Sequence, residues 1–361
     1  MSPVKMSGYG SQLLLRVFAF LMLAGGLAAC SVAELEKFAL EGEELDASQS
    51  SGRDTGFSQK VGAKLLSPET IIKGGQRSYK GVAGQFSRLL IGKGEEIRFL
   101  EPVAVGGVDG LLYIVDAGTK LVFKYDLVSN EIEPLRDIAN FFEGAPGKIY
   151  VAKDRSFYIV DTLGRKVMHF TEQGELLTTF QDLANLSRPM DVLVNEKTGE
   201  VLVIDGSFSR VVVFNTIGKA THAIGQRGSG PGRFRAMTAI TSGADGLYIL
   251  DRLELPVQVL DWQGNYLYSF GENELLFPNA IAVDRDQRVY ISDRSTNTIL
   301  VYQDGQLLMS FGGGGSGPGR FRLITDLWVN GNLLYVADSL NRRIQVLRIN
   351  PSAPLPVMPA G

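Results

Sequence analysis

Short apolar segments that end in an aspartate recur along the chain from residue 99 onward. The aspartates stand 42 to 46 residues apart, at Asp116, Asp161, Asp205, Asp251, Asp293 and Asp338. A β-branched residue follows each aspartate by six positions, and a large apolar or aromatic residue follows it by nine. A register that is kept over six copies indicates one repeat architecture rather than several unrelated domains.

Each repeat carries the pattern of four short strands. Around Asp293, an opening strand over residues 278–284 precedes the strand that ends at the aspartate, and further strands follow over 299–302 and 307–311. Tight turns ending in glycine separate the last two strands, and Asn, Asp and Gly suit such turns because they tolerate a positive φ. Four strands in about 44 residues match one propeller blade. We therefore predict an all-β, six-bladed β-propeller of four-stranded blades.

The last repeat lacks a fourth strand, because the chain reaches Pro351 without the required turn and apolar run. An unassigned apolar segment over residues 87–92 stands before the first repeat. We predict that this N-terminal strand completes the last blade by pairing with the strand that contains residues 344–347. Such a closure removes sheet edges that would otherwise be open to other chains.

Two glycine-rich linkers share the motif Gly-Ser-Gly-Pro-Gly-Arg-Phe, which ends at Phe234 in one copy and at Phe321 in the other. These linkers and residues 335–346 resemble the inter-blade linker and the centre of NHL repeats. The resemblance extends over about residues 86–350 and is strongest after residue 225. It implies NHL-type blades, and NHL propellers generally hold a protein or another polymer on the loops of one face.

The N-terminus has the pattern of a secretory leader over residues 1–29. Lys5 and Arg16 precede an apolar run that ends in small residues, and the run is shorter than the roughly 20 residues that span a bilayer. Leu27-Ala28-Ala29-Cys30 resembles the lipobox of bacterial lipoproteins, which implies a diacylglycerol on the Cys30 thiol. Cys30 is the chain's single cysteine. The alternative is an ordinary leader that is cut nearby.

The leader also predicts the location and the domain organisation. Ser31 stands where an inner-membrane retention aspartate can occur, which by resemblance favours an outer-membrane lipoprotein that faces the periplasm or the cell surface. We expect a lipidated, flexible tether over residues 30–80, the propeller over 81–350 and a tail over 351–361. The acidic and serine-rich composition of the segment after Cys30 suits a solvated tether.

Charge and composition exclude several classes of function. The net charge is −3, which does not favour a nucleic-acid surface. The glycine-rich linkers lack the Gly-Lys-Ser/Thr ending of a phosphate-binding loop. His169 and His222 are the two histidines, too few for a typical zinc centre, and we expect both to lie within blades. We therefore expect no cofactor besides the lipid, an unidentified protein or polymer partner, and a monomer.

One alternative is an enzyme with a metal in the propeller channel. Asp191 and Asp326 fall at matching points early in the first strands of two blades, and Asn279 falls close to the equivalent point in a third. First strands line a propeller's channel, so these oxygens could hold Ca²⁺. This alternative predicts a calcium-dependent hydrolase or lyase.

The preferred prediction is a membrane-tethered binding or scaffolding module rather than an enzyme. The six strand-ending aspartates occur in every repeat, so we expect them to accept hydrogen bonds from the turns that follow them. The arginines of the two glycine-rich linkers are the candidates for contact with a partner: Arg233, Arg235, Arg320 and Arg322.

Overall fold

Sheets of mainly antiparallel strands follow one another along the chain in the computed structural model, which describes residues 65–77 and 96–350. The first blade consists of Pro102–Val108 (β4), Leu111–Asp116 (β5), Leu121–Asp126 (β6) and Glu131–Pro134 (β7). The second consists of Ile149–Val151 (β8), Phe157–Asp161 (β9), Lys166–Phe170 (β10) and Leu176–Phe180 (β11). The third consists of Pro189–Asn195 (β12), Glu200–Asp205 (β13), Arg210–Phe214 (β14) and Ala220–Ile224 (β15). Three strands precede them: Leu66–Ile72 (β1), Gly74–Arg77 (β2) and Glu96–Arg98 (β3).

The other three blades have the same arrangement. The fourth blade consists of Met237–Ser242 (β18), Leu247–Asp251 (β19), Val257–Leu260 (β20) and Tyr266–Phe270 (β21). The fifth consists of Pro278–Val283 (β22), Val289–Asp293 (β23), Thr298–Gln303 (β24) and Gln306–Gly312 (β25). The sixth consists of Ile324–Asn330 (β26), Leu333–Asp338 (β27) and Arg343–Ile349 (β28), together with β1. The linker into the fourth blade contains the short pair Gln226–Arg227 (β16) and Arg233–Phe234 (β17). Two 3-10 helices complete the elements, Asp137–Phe141 and Ser339–Asn341.

Six apolar clusters fill the spaces between neighbouring blades in the described part of the chain. The cluster with Tyr335 and Ile344 of the sixth blade also contains Ile114 and Phe123 of the first. The ring is therefore closed by side-chain packing as well as by strand pairing. The β-branched and large apolar residues that recur after each aspartate are all buried in these contacts. The predicted six-bladed fold of four-stranded blades is confirmed.

The last blade is completed by an N-terminal strand, but not by the predicted one. Leu66–Ile72 pairs antiparallel with Arg343–Ile349, and its register joins Leu66 to Ile349 and Ile72 to Ile344. The prediction for residues 87–92 was therefore wrong as to the pairing partner of this edge, and those residues lie outside the described ranges. The predicted tether over 30–80 also extended too far, because β1 and β2 belong to the propeller's sheets.

Local sequence explains why this closing strand is hard to recognise. Leu66 and Ile72 are buried, whereas the residues between them are partly or fully exposed. Pro68 and Glu69 interrupt the apolar alternation that normally indicates a strand. Proline is tolerated here because β1 lies at the outer edge of its sheet. On the open side of an edge strand there is no neighbouring strand, so the missing N–H of proline costs no hydrogen bond there.

The blades define two faces of the propeller. Each first strand begins beside the aspartate that ends the second strand, as Pro102 does beside Asp116 and Pro278 beside Asp293. The linkers and the turns between second and third strands therefore share one side, which we call the linker face. The turns between first and second strands and between third and fourth strands form the opposite side, the hairpin face.

Neither 3-10 helix exceeds five residues. Among residues 65–77 and 96–350, no helix is long and apolar enough to cross a membrane. The predicted leader, Cys30 and the tail over 351–361 lie outside the described residues.

Candidate functional site

The six strand-ending aspartates connect each linker to its own blade. In the fourth blade, Oδ2 of Asp251 accepts hydrogen bonds from the backbone N–H groups of Arg235 and Ala236, at 2.6 and 3.0 Å. Its Oδ1 accepts from the N–H groups of Leu253 and Glu254, at 2.8 and 3.2 Å. The other five aspartates are equally buried, and each also accepts from its linker and from its turn. The prediction of a structural role is confirmed, and the linker contact is an addition to it.

Two buried glutamines hold the glycine-rich linkers. The Gln258 amide accepts from the N–H of Gly232 at 2.8 Å and donates to the carbonyl of Arg233 at 2.7 Å. Gln345 makes the same pair of hydrogen bonds with Gly319 and Arg320, at 3.0 and 2.6 Å. Each glutamine follows its strand-ending aspartate by seven positions, and only these two repeats have both the glutamine and the linker motif. The joint occurrence of this glutamine and the linker motif could have been recognised in the sequence, and it would have predicted a contact between them.

The glycine three residues before each linker motif is required by close packing. Gly225 has a φ of +75°, and a Cβ atom there would lie 2.7 Å from the ring of Phe234. Gly312 stands in the same relation to Phe321, and both phenylalanines are fully buried. The two linkers are thus ordered inter-blade loops, held by close packing and by the two glutamines.

The four predicted contact arginines are exposed on the linker face, in two separate pairs. Arg233 and Arg235 belong to the linker into the fourth blade, and Arg320 and Arg322 to the linker into the sixth. Arg235 lies 3.5 Å from Glu254, and Nη1 of Arg320 donates to the carbonyl of Gly312 at 2.9 Å. The fifth blade separates the two pairs, so the four do not form one cluster.

The central channel contains a cavity of about 210 Å³ that is lined by the first strands of all six blades. Its polar lining includes Asp191, Thr241, Ser242 and Asp326, and its aromatic lining includes Trp328. Both predicted channel aspartates therefore reach the same cavity, from blades that lie opposite each other in the ring.

The contacts of the two carboxylates do not fit a calcium site. Lys148 extends from the second blade to contact Oδ1 of Asp326, and it donates to the carbonyl of Thr325 at 2.8 Å. Oδ2 of Asp326 accepts from the N–H of Val105 at 3.0 Å. An ammonium thus pairs with one of the carboxylates to which the enzyme alternative assigned a calcium ion. Lys148 was missed in the sequence because a contact across the channel leaves no local pattern.

Asp191 and Asn279 are also engaged with neighbouring blades. Asp191 accepts from the N–H groups of Val192 and Ile240, at 2.9 and 3.0 Å. Asn279 contacts Arg252 through its Oδ1 and donates to the carbonyl of Ile324 at 3.0 Å. Asn279 does not line the cavity with the two aspartates. Within the described ranges, no three His, Cys, Asp or Glu side chains are grouped closely enough to hold a metal ion.

Burial raises the pKa of Asp191 to about 6. The Lys148 ammonium acts against this increase in pKa, and the negative charge of Asp326 adds to it. Because this pKa exceeds that of an unfolded aspartate, near 3.9, the folded state holds the proton more tightly and loses stability as the pH rises from about 4 to about 6. Asp191→Asn removes this loss. We expect its free energy of unfolding, relative to the wild type, to rise by about 2–3 kcal/mol between pH 4 and pH 7.

Urea denaturation at several pH values measures this difference. The lost second acceptor oxygen gives Asp191→Asn a constant penalty, so the change with pH is the informative quantity. Asp261→Asn is the control, because Asp261 lies at the turn between a third and a fourth strand and hydrogen bonds from Asn265 and from backbone N–H groups lower its pKa. A stability difference for Asp191→Asn that does not change with pH would show that the carboxyl titrates normally.

Both histidines lie within blades, as predicted. His169 stacks on Tyr158 in the second blade, with ring centres 3.9 Å apart, and burial lowers its pKa. His222 lies on the outermost strand of the third blade and is exposed. Neither lines the channel cavity.

Exposed apolar side chains are concentrated on the linker face. Of the fourteen large apolar residues exposed in the described ranges, eight lie on this face, in linkers or in turns between second and third strands: Leu100, Leu163, Leu183, Phe208, Leu253, Leu276, Phe277 and Leu340. Phe141 also belongs to a linker, but its ring packs on Phe170, at the end of β10 that lies toward the hairpin face. Two lie on the hairpin face, Val128 and Ile217, and three on outer strands. This one-sided distribution makes the linker face the candidate interaction surface among the described residues.

Comparison with known proteins supports the architecture. A family model described as a 6-bladed beta-propeller, DUF5128, matches residues 177–270. No curated protein matches the sequence. A solved protein of unknown function from Bacteroides thetaiotaomicron is 14% identical, with a TM-score of 0.59 and coverage of 79% of this chain and 76% of that chain.

Two further solved structures have named functions. Virginiamycin B lyase from Staphylococcus aureus is 12% identical, with a TM-score of 0.51 and coverage of 69% of this chain and 95% of that chain. An auxiliary nutrient binding protein from Bacteroides thetaiotaomicron is 14% identical, with a TM-score of 0.53 and coverage of 69% of each chain. At these identities the similarity shows the propeller fold and no more.

Proposed function

We propose that this chain is a binding protein: an NHL-type propeller that holds a protein or polymer partner on its linker face and is tethered to the outer membrane by a lipid on Cys30. The concentration of exposed apolar side chains on that face is the observation that carries the proposal. Each large apolar side chain left in water forgoes about 1.5–3 kcal/mol of burial. A partner that covers the linker face would recover much of this free energy.

The composition of the linker face also suits a binding surface. Interface centres are enriched in aromatic residues and arginine, and single residues of these types often dominate the binding free energy. Phe208 and Phe277 lie on this face, and so do the exposed arginines of the glycine-rich linkers. Phe208 and Phe277 each lie beneath an arginine, with Arg210 and Arg252 at 5.0 and 4.4 Å from the ring centres.

The enzyme alternative has weaker support. The carboxylates of the channel are engaged with Lys148 and with backbone amides, which leaves little capacity for a catalytic metal. A catalytically inactive variant of the virginiamycin B lyase has a histidine replaced by alanine. The two histidines of this chain lie on third and fourth strands, away from the channel cavity. The similarity to a nutrient binding protein is compatible with a binding role.

Replacing Leu163, Leu253, Leu276 and Leu340 together with serine tests the proposal. These side chains are 59 to 67% exposed, so we expect little change in melting temperature but loss of the partner that co-purifies with the wild type from detergent-solubilised membranes. Quantitative mass spectrometry of the co-purified material is the measurement.

The control carries serine at Val128 and Ile217, which are 89 and 79% exposed on the hairpin face. It should retain the partner. Retention by the linker-face variant, or equal loss from both variants, would contradict the assignment of the binding face.

The lipid anchor has its own test. Cys30→Ser removes the thiol that would carry the diacylglycerol, so the protein should move to the soluble fraction or remain unprocessed with its leader attached. Membrane fractionation with metabolic labelling by a radioactive fatty acid distinguishes these outcomes from wild-type behaviour. A processed Cys30→Ser protein that still sediments with membranes would rule out this anchor.

A further inference from the structure

Three arginines from successive blades stand at the end of the channel that opens on the linker face. Arg188 is the last residue before the first strand of the third blade. Arg252 and Arg294 directly follow the strand-ending aspartates of the fourth and fifth blades. Because first strands line the channel and second strands end beside their starts, all three residues are placed around the channel mouth.

Arg252 is held at this mouth by the neighbouring blade. Its Nε donates to the carbonyl of Pro278 at 3.2 Å, and its Nη2 contacts Oδ1 of Asn279. Its guanidinium carbon lies 4.4 Å from the ring centre of Phe277, while the backbone N–H of Arg294 donates to the Phe277 carbonyl at 3.0 Å. Arg252 and Arg294 are therefore joined through the same residue.

The third arginine lies beside a glycine of its own blade. Gly206 follows the strand-ending aspartate of the third blade, at the position that Arg252 and Arg294 occupy in theirs. A Cβ atom on Gly206 would lie 2.8 Å from Cγ of Met190 and 3.7 Å from Cδ of Arg188. Met190 therefore covers Gly206 most closely, and the Arg188 side chain lies within van der Waals contact of the same position.

The three positive charges repel one another. Burial lowers the pKa of Arg252, and the charges of Arg294 and Arg188 lower it further. In the described part of the chain, none of the three arginines forms an ion pair with a carboxylate. A bound anion would relieve this repulsion, and guanidinium groups bind carboxylates with two parallel hydrogen bonds.

Exposed apolar side chains adjoin this arginine cluster. Leu253 and Leu276 are 62 and 67% exposed, and Phe277 lies between Arg252 and the backbone of Arg294. A free phosphate or a sugar acid would leave these side chains in water. A peptide with acidic residues beside apolar ones would engage both kinds of side chain.

We propose that Arg188, Arg252 and Arg294, with Leu253, Leu276 and Phe277, bind an acidic peptide segment of a protein partner. Aspartate or glutamate carboxylates of the segment pair with the guanidinium groups, and its apolar side chains pack on the leucines and the phenylalanine. This assignment rests on the proposed binding function and names the chemistry of its partner.

Selection of a random dodecapeptide library displayed on phage, with the full mature protein as bait, tests the site without knowledge of the natural partner. We expect the selected sequences to be enriched in Asp and Glu next to Leu, Phe or other large apolar residues. A synthetic peptide of the selected sequence should bind at least roughly tenfold more tightly than its Asn/Gln counterpart, a difference of about 1.4 kcal/mol.

The double variant Arg188→Gln/Arg294→Gln links the peptide to the site. Both residues are exposed, so the fold should persist, and we expect the acidic peptide to bind at least roughly tenfold more weakly than to the wild type. Lys219→Gln/Arg285→Gln, two exposed positions on the hairpin face with the same change in charge, should bind as the wild type does. Matching melting temperatures establish that both variants are folded.

Several results would overturn the assignment. Selection of no sequences, selected sequences without acidic enrichment, or equal affinity for the wild type and the arginine variant would each do so. Binding to phosphatidylglycerol vesicles that depends on Arg188 and Arg294, without selection of acidic peptides, would assign the cluster to lipid headgroups instead. If the peptide result fails while the linker-face serine variant still loses its partner, the proposed function stands and this site does not.

Discussion

Deleting residues 1–73 is expected to lower the melting temperature sharply, or to cause aggregation, compared with deleting residues 1–63. The two truncations differ by the strand that closes the ring. Leu65, Leu66 and Ile72 are buried against the last blade, and each contributes roughly 1.5–3 kcal/mol through burial. Loss of all three is comparable with the whole stability of a typical domain, about 5–15 kcal/mol. It also exposes the edge of Arg343–Ile349 to other chains.

Thermal melting monitored by circular dichroism, with light scattering for aggregation, compares the truncations directly. A matched pair of point variants refines the result: Leu66→Ala should cost about 2–5 kcal/mol, whereas Thr70→Ala on the same strand is exposed and should cost less than about 0.5 kcal/mol. Equal stability of the two truncations would mean that Leu66–Ile72 does not close the ring.

Asp338→Ala is expected to destabilise the propeller by about 3–5 kcal/mol, because it removes one partner of a buried ion pair. Asp338 and Arg343 are 0 and 3% exposed, and Nε of Arg343 lies 2.8 Å from Oδ2 of Asp338. The same carboxylate accepts from Gln345 Nε2 and Asn341 Nδ2, at 3.1 and 2.8 Å, and from the N–H of Arg322 at 2.9 Å. Its removal leaves several buried donors without an acceptor.

The double variant Asp338→Ala/Arg343→Met separates two effects of removing Asp338: the unpaired positive charge of the buried Arg343 guanidinium, and the loss of the hydrogen bonds that Asp338 accepts. If the uncompensated guanidinium dominates, the double variant should be more stable than Asp338→Ala alone by at least about 1 kcal/mol. Urea denaturation measures all three proteins. A loss below about 1 kcal/mol for Asp338→Ala would show that the aspartate is not needed to hold the linker.

The architecture was predictable because its signal is periodic. Each strand-ending aspartate accepts hydrogen bonds from a linker and from a turn. Because all six blades need this same hydrogen-bond pattern, the sequence has aspartate at the equivalent position of each repeat. The residue six positions later, such as Val167 or Ile344, is buried in every blade. Strand bounds around Asp293 were also close, since the third strand predicted over 299–302 is observed as Thr298–Gln303.

The closing strand was misplaced because it lacks that periodic signal. An edge strand with two buried residues and a proline has a weaker apolar pattern than residues 87–92, which contain a continuous run of three apolar residues and are closer to the first blade in sequence. Pairing of β1 with β28 joins residues almost 280 positions apart, as in the contact of Glu69 with Arg348. No local pattern in the sequence specifies such a pairing.

Among the site residues too, those at repeated positions were predictable from the sequence, whereas contacts between distant blades were not. Convergence of Asp191 and Asp326 on the channel followed from their matching strand positions, and both line the cavity. The contact of Lys148 with Asp326 crosses the channel, so it could not be inferred from spacing. By contrast, Arg252 and Arg294 each follow a strand-ending aspartate directly, so their equivalent positions could have been read from the repeat register, although they were not among the predicted contact arginines.

Photo-crosslinking in intact cells tests most directly whether the partner binds the linker face. A photoreactive amino acid placed at Leu253 or Leu340 reports on that face, and one placed at Val128 or Ile217 reports on the hairpin face; all four side chains are more than half exposed. We expect crosslinked products of higher mass from the first two positions and none from the other two. Crosslinks that form only from Val128 or Ile217 would contradict the proposed binding face.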